Sequence, residues 1–209
     1  MRVHEPVEGF TFLCAELGVD DVQGYLAGLP PVDLLYCAPP NSDWMPWWRR
    51  QAGLSCQSDY ERFIRSWLDV VLQVDAAECH LEVGICRSLV EPVLDEHYPI
   101  KHEQPARYAA PSTARGTGMS RSRSARFTRL SYSRRPSLVV PTEESSDAFL
   151  QARLKDAPKS VCFDPCIGKG LLSRVAVDFG HVCHGIELNA DRIKSACAYV
   201  EDHWTPSAS

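Results

Sequence analysis

The sequence predicts an α/β fold, with a mostly parallel sheet and helices on both of its faces. Short apolar runs of strand length alternate with segments of helical periodicity, which implies right-handed βαβ crossovers. The 209 residues are 44% hydrophobic, which suffices for one domain with a sizeable core.

In the first half, an apolar run at residues 32–37 predicts a buried strand, and Ala-Pro-Pro-Asn at residues 38–41 ends it. Two consecutive prolines form a rigid turn with few backbone donors, so carbonyl oxygens are free to face a crevice. A loop rich in tryptophan is expected at residues 41–48.

A helix, a strand and a second helix are expected next. Ser58 and Glu61 form a capping box, and apolar residues from Tyr60 to Leu72 recur with a helical period. Residues 78–85 alternate enough to predict a strand, and residues 88–96 predict a short helix.

Residues 99–139 form a basic segment in which we expect an extended, flexible insertion. Gly, Ser, Pro and Arg dominate it, and hydrophobic periodicity disappears. Residues 101–136 carry nine basic side chains and one acidic one, a net charge of +8, whereas the rest of the chain carries −13. Regularly spaced arginines suit contacts to a phosphate backbone.

Regular structure returns in the second half, with helices near residues 145–154, 169–179 and 190–202 and strands at 160–164 and 182–187. The first of these strands ends in Asp164, and a turn containing Gly168 and Gly170 follows. The second ends in Glu187, 23 residues after Asp164. This layout is typical of a nucleoside-binding βαβ unit, because glycines let the backbone approach a ligand and the acid can bind both ribose hydroxyls.

The motif Asp164-Pro165-Cys166-x-Gly168-x-Gly170, followed by Gly-Ile-Glu-Leu-Asn at 185–189, resembles the S-adenosylmethionine-binding motif of DNA amino-methyltransferases. Residues 140–144 resemble the segment that leads into this motif. The resemblance implies S-adenosyl-L-methionine as cofactor, with the acid on its ribose. The residues implied in cofactor binding are Asp164, Pro165, Cys166, Gly168, Gly170, Glu187, Asn189 and Thr142.

The turn at residues 38–41 stands where the same family has Asp/Asn/Ser-Pro-Pro-aromatic. With this turn first and the cofactor motif second, the order resembles that of the beta-type permuted methyltransferases. The resemblance implies a Rossmann-like methyltransferase fold, circularly permuted in motif order, as a single domain over residues 1–204. Its parts are a catalytic half at 1–98, a basic target-recognition insertion at 99–139 and a cofactor half at 140–204, followed by a tail at 205–209.

The implied activity is methyl transfer to an exocyclic amino group of a base flipped out of double-stranded DNA, adenine N6 before cytosine N4. The implied catalytic residues are Ala38, Pro39, Pro40 and Asn41, and the implied base-pocket residues are Asp21, Trp44 and Trp47. The implied DNA-binding residues are Arg121, Arg123, Arg126, Arg129, Arg134 and Arg135.

Two positions of the turn depart from the family pattern, because Ala38 cannot accept a hydrogen bond and Asn41 cannot stack like an aromatic ring. Losing one accepting group at a preorganised site lowers a rate by about 10²–10³. Three explanations are open. The Pro39 carbonyl suffices, with Asn41 or Asp43 as a further acceptor and a tryptophan as the stacking ring. Alternatively, the target is a different atom or a modified base, or the protein binds cofactor and nucleic acid without transferring a methyl group.

The nine cysteines include no Cys-x-x-Cys pair, so we expect free thiols and no metal site. No stretch approaches the ~18 apolar residues that cross a bilayer, and residues 1–5 lack the features of a signal peptide. We therefore expect a cytoplasmic protein without membrane contact.

Overall fold

The computed structural model describes residues 1–55, 59–107, 126–136, 138 and 140–205, without the side chains of Trp44 and Arg126. Within these ranges, eight strands form a single sheet. They are β1 (Arg2–His4), β2 (Phe10–Cys14), β3 (Leu34–Cys37), β4 (Glu78–Val83), β5 (Ile100–Arg107), β6 (Arg126–Ser133), β7 (Val161–Asp164) and β8 (Val182–Glu187).

The sheet has a parallel centre and antiparallel edges. Its strand order is β1-β2-β8-β7-β3-β4-β6-β5. The five strands from β2 to β4 in this order pair in parallel, whereas β1, β6 and β5 pair antiparallel with their neighbours. The carboxyl ends of the five parallel strands therefore meet at one edge of the sheet, which we call the carboxyl edge.

Helices cover both faces of the sheet, as the sequence predicts. They are α1 (Gln23–Ala27), α2 (Met45–Gln51), α3 (Tyr60–Val74), α4 (Arg87–His97), α5 (Ser146–Leu154), α6 (Leu171–Asp178) and α7 (Ala190–His203), with a 3-10 helix at Ser42–Trp44. The core divides into one cluster that includes α1, α3 and α4 and another that includes α5, α6 and α7. Along β3 the side chains alternate between them, since Leu34 and Tyr36 join the second cluster and Leu35 and Cys37 the first. None of the helices in the described ranges is long and apolar enough to cross a bilayer.

Three short elements near the amino terminus, β1, β2 and α1, have no counterpart in the sequence prediction. The tryptophan-rich stretch predicted as a loop contains the 3-10 helix and α2. Pro46 is compatible with helix there because it lies in the first turn of α2, where backbone N–H groups have no intrahelical partner. The N-cap of α3 is Asp59, whose carboxylate accepts a hydrogen bond from the Arg62 amide at 3.0 Å. Ser58, the predicted N-cap, lies outside the described residues.

The prediction of an irregular insertion at residues 99–139 is wrong for the described part of that segment. β5 and β6 pair antiparallel from Ile100↔Ser133 to Arg107↔Arg126, and β6 also pairs with β4. Arginines and serines conceal the strand pattern of β6, yet Leu130 and Tyr132 are fully buried. β4 gives β6 backbone hydrogen-bond partners and apolar side chains to pack against. This pairing outweighs the polar composition of β6, so the segment forms a strand.

Candidate active site

The two turns singled out in the sequence lie side by side at the carboxyl edge. β3 pairs in parallel with β7 through Leu34↔Cys162 and Leu35↔Phe163. The turn at residues 38–41 and the turn after Asp164 therefore leave neighbouring strands in the same direction. Neighbouring strands are about 4.8 Å apart, so the two turns lie next to each other, and we call the space outside them the crevice. In open α/β sheets, ligands bind outside the carboxyl ends of the strands, at such a point.

The turn after β7 is tied to the end of β8 by Glu187. One carboxylate oxygen of Glu187 accepts a hydrogen bond from the Gly168 amide and the other from the Asn189 amide, both at 2.8 Å. Asp164 accepts from the Cys166 amide at 2.9 Å. Gly168 and Gly170 have φ angles of +58° and +76°, in the left-handed region that glycine adopts without strain.

The two carboxyl groups of this turn are desolvated. Asp164 is 5% exposed and Glu187 is 8% exposed. Burial raises the pKa of Asp164 to about 7. The neighbouring charge of Glu187 also raises this pKa, whereas the hydrogen bond from the Cys166 amide lowers it. Burial also raises the pKa of Glu187, opposed by the Asn189 amide and the charge of Arg192. A carboxylate offers roughly four lone-pair positions, so Glu187 can accept a further hydrogen bond beside its backbone donors.

Close packing between β7 and β8 depends on Gly185. A Cβ atom at this position would lie 2.4 Å from the Asp164 carbonyl oxygen and 2.7 Å from the side chain of Ile167. A side chain there would push the turn away from β8. Gly185 belongs to the motif but has no predicted role, and the structure shows that it sets the spacing of the site.

The proline turn is held by a tyrosine. The Tyr60 hydroxyl, at the start of α3, donates to the Pro40 carbonyl oxygen at 3.1 Å. Pro39 is buried, whereas Ala38, Pro40 and Asn41 are partly exposed. The structure thus places all four residues of the predicted catalytic turn beside the cofactor-type turn. Their roles in catalysis stay a prediction.

Helix α2, which follows the proline turn, lies against the cofactor half of the chain. The Arg192 guanidinium lies 3.6 Å from the centre of the Trp48 ring, and the Asn189 side-chain amide donates to the Gln51 carbonyl oxygen at 3.1 Å. Arg49 forms an ion pair with Glu16, after β2. The sequence analysis missed Trp48 and Arg192. The spacing of Met45, Trp48 and Arg49 could have indicated a helix there, because residues three and four apart lie on one side of a helix.

The structure describes the side chains of two of the three predicted base-pocket residues. Asp21 is exposed, accepts a hydrogen bond from the Gln23 amide at 3.0 Å, and follows β2, which β8 and β7 separate from β3. The place of Asp21 in a base pocket stays a prediction. Trp47 is 43% exposed and packs edge-to-face on Trp48, with ring centres 4.4 Å apart. Its stacking role stays a prediction, and the side chain of Trp44 lies outside the described part.

Arg129 cannot bind a phosphate backbone as predicted, because its side chain is fully buried in β6. Its guanidinium forms an ion pair with Glu82, with the shortest N···O distance 2.6 Å, and donates to the Glu143 carbonyl oxygen at 2.8 Å. It also lies 3.9 Å from the centre of the Phe149 ring. A buried charge requires such partners. Arg129 therefore anchors the segment before α5 to the sheet.

Two other predicted DNA-binding arginines lie away from the crevice. Arg134 pairs with Asp75, and Arg135 pairs with Asp33 at 3.1 Å. Both follow β6, whose carboxyl end lies beside the amino ends of β3 and β4. They cannot contact DNA at the carboxyl edge, which corrects their placement in a common DNA-binding segment. Arg121 and Arg123 lie outside the described residues, as does the side chain of Arg126.

Thr142 is exposed in the segment before α5. This segment is held near the carboxyl edge by Arg129 and by the Arg107 amide, which donates to the Glu144 carbonyl oxygen at 2.8 Å. Its contact with a cofactor stays a prediction. Across the described ranges, no cluster of three or more His, Cys, Asp or Glu side chains is suited to holding a metal ion.

No family model matches the chain, and no curated protein matches it in sequence. Several solved structures match it in fold. The complex of M1.HpyAVI with S-adenosylmethionine has a TM-score of 0.60 at 10% identity, with 91% of this chain and 98% of that one covered. TTHA0409 from Thermus thermophilus, complexed with S-adenosyl-L-methionine, has a TM-score of 0.55 at 14% identity, with coverage of 91% and 94%. The cytosine-N4-specific PvuII DNA methyltransferase has a TM-score of 0.51 at 10% identity, with coverage of 97% and 89%.

The strand order, the two turns at one edge and these similarities agree with one another. The chain therefore has the Rossmann-like fold of the DNA methyltransferases, which confirms the fold class that the sequence predicts.

Proposed function

We propose that the protein is an S-adenosylmethionine-dependent DNA methyltransferase that acts on an exocyclic amino group of a flipped base, adenine N6 before cytosine N4. The observation that carries the proposal is the parallel pairing of β3 with β7, which sets the proline turn beside the glycine turn. A methyl donor in one turn and a base in the other would then be close enough to react.

The residues of the glycine turn fit the nucleoside part of this cofactor. Gly168 and Gly170 adopt left-handed φ angles, which shape the turn, and a Cβ atom at Gly170 would lie 2.9 Å from the Ser173 hydroxyl oxygen. The carboxylate of Glu187 lies at the end of β8, where its oxygens can accept from a ribose hydroxyl beside their backbone donors. The bound cofactor would supply a methyl group on a sulfonium centre, which accepts attack by a neutral nitrogen.

The chain's own residues would orient the target amine. The Pro39 carbonyl is a fixed acceptor because the ring on each side stiffens the turn. The Tyr60 hydroxyl occupies the Pro40 carbonyl and holds the turn in place. The exposed ring of Trp47 is a candidate stacking surface for a base. DNA is the proposed partner, bound with one base extruded from the duplex.

A second function is favoured by the alanine at position 38. Without a polar side chain there, the protein would bind cofactor and nucleic acid for a regulatory role without turnover. Transfer of a radiolabelled methyl group from S-adenosylmethionine to unmethylated DNA separates the two functions. If wild type is inert and Ala38→Asp transfers, the binding role is supported.

The cofactor site is tested independently of turnover. Calorimetric titration with S-adenosylmethionine should show binding to wild type and at least tenfold weaker binding to Glu187→Gln, because the amide cannot accept two ribose hydrogen bonds. Glu96→Gln, an exposed position on α4, is the matched control. Equal affinities of all three proteins would remove the ribose assignment, and no binding by wild type would remove the proposed function.

A further inference from the structure

The side chain of Asn41 has an unusual environment. Asn41 occupies the N-cap position of the 3-10 helix, with extended backbone angles, but its side chain makes no capping hydrogen bond. An asparagine at this position ordinarily accepts from a backbone amide of the first turn. Its Oδ1 atom is instead buried, and it has no hydrogen-bond partner among the described residues. An unsatisfied buried acceptor is unfavourable, so its retention calls for a ligand that donates to it.

The surroundings of this oxygen keep it in place. A Cβ atom at Gly84 would lie 2.9 Å from Asn41 Oδ1 and 3.4 Å from the Phe127 ring. Gly84 has no positive φ angle, so the backbone does not require glycine there. What requires it is the space that the amide occupies. Asn41 Oδ1 therefore lies between the proline turn and the end of β4, close to the aromatic ring of Phe127.

We infer that Asn41 Oδ1 is the hydrogen-bond acceptor for the amino group of the target base, in place of the side chain missing at Ala38. The inference rests on the proposed function and names the side chain that would bind its target amino group. One N–H of the amino group donates to Asn41 Oδ1 and the other to the Pro39 carbonyl. The Pro40 carbonyl is not needed, since it already accepts the Tyr60 hydroxyl.

The chemical step balances with these groups. The amino nitrogen forms a bond to the methyl carbon as the carbon–sulfur bond breaks, and the electron pair of that bond stays on sulfur. The sulfonium charge is thereby neutralised, the nitrogen becomes cationic, and it loses one proton to water. Asn41 accepts a hydrogen bond throughout and never holds the proton, because an amide oxygen is a weak base.

Binding to paired oligonucleotides tests this inference without turnover. The probes are single-stranded oligodeoxyadenylate and the same length of 2′-deoxynebularine, which lacks only the amino group, in the presence of S-adenosylhomocysteine. Fluorescence anisotropy should show that wild type prefers the adenine strand by about tenfold. In Asn41→Leu this preference should disappear while affinity for the nebularine strand is unchanged. Gln151→Leu, the same type of change on the exposed surface of α5, should keep the preference.

The unfolding temperature distinguishes a ligand-binding role of Asn41 from a purely structural one. Because Oδ1 has no partner in the free protein, Asn41→Leu should unfold at a temperature equal to or above that of wild type. Asn41→Asp, which keeps an oxygen in place, should retain the adenine preference, and Gly84→Ala should lose it by displacing the amide. These two variants decide the question if Asn41→Leu fails to fold.

Two binding results would overturn the inference. One is an adenine preference in Asn41→Leu equal to that of wild type, and the other is no preference in wild type. If Asn41→Leu still transfers methyl groups at the wild-type rate, only the inference fails. If wild type does not bind S-adenosylmethionine, the proposed function fails with it.

Discussion

The first prediction tests whether Arg129 stabilises the fold through a buried ion pair instead of binding DNA. Its side chain and that of Glu82 are 0% and 1% exposed, and two guanidinium nitrogens donate to Glu82 Oε1 at 3.1 Å and 2.6 Å. The Ser146 hydroxyl donates to the other Glu82 oxygen at 2.7 Å. The pair is thus dry and joins β4, β6 and α5. In Arg129→Met the carboxylate of Glu82 would remain buried with a single side-chain donor.

Breaking one partner of a buried ion pair destabilises a protein by about 3–5 kcal/mol. For a domain of this size, 1 kcal/mol shifts the unfolding temperature by about 2–4 °C, so Arg129→Met should unfold about 6–20 °C below wild type. Arg135→Met removes an ion pair whose side chains are 53% and 41% exposed, and it should change stability by less than about 1 kcal/mol. Calorimetry or circular dichroism on the two variants measures the difference.

The double variant Arg129→Met/Glu82→Met separates charge from packing. Since it removes both buried charges, it should recover most of the lost stability. The reasoning is refuted if Arg129→Met and Arg135→Met unfold at the same temperature. A loss of salt-dependent DNA affinity in a fully stable Arg129→Met would instead restore the prediction made from the sequence.

Three further predictions concern the carboxyl edge. Gly185→Ala should weaken S-adenosylmethionine binding and lower stability by about 1–3 kcal/mol, because its Cβ would lie 2.4 Å from the Asp164 carbonyl oxygen. The control Gly24→Ala has open space around it, and a calorimetric result equal to that of Gly185→Ala would contradict the packing argument. Burial raises the pKa of Asp164 to about 7, above the ~3.9 of an unfolded chain, so stability should fall as pH rises from about 4 to 7. Asp164→Asn should flatten this part of the pH–stability curve and be more stable than wild type at pH 8, and an unchanged curve would count against the shift. Trp48→Leu removes the ring beneath Arg192, so amide hydrogen exchange in α2 should accelerate while exchange in α3 stays constant.

Local patterns predicted much of the second half. The strand at residues 182–187 and the helix that follows it occur where the apolar pattern places them, and the end of β7 at Asp164 agrees as well. These elements are buried on one or both faces, so their periodicity reports directly on the core. The short strands β1 and β2 were missed, although β3 and β7, which are no longer than β2, were predicted.

The basic segment shows where local reasoning fails. Residues 126–133 look like a solvated arginine–serine stretch, yet five consecutive residues from Arg129 to Ser133 are buried. Their burial depends on pairing with β4. Glu82 of that strand is 47 residues away from Arg129 along the chain. Composition cannot report a partner at that distance. The same holds for Asn41, whose buried oxygen lies beside Gly84, the residue that follows β4.

The amino-acid sequence alone determined the alternation of strands and helices, the rigid proline turn and the glycine turn with its two acids, since each arises from residues close together in the chain. Tertiary structure decided which charges are buried and which turns are neighbours. The physical reason is that strand pairing brings distant residues to within hydrogen-bonding distance. That contact turns Arg129 from a surface cation into the anchor of a buried ion pair and sets Asn41 beside the crevice.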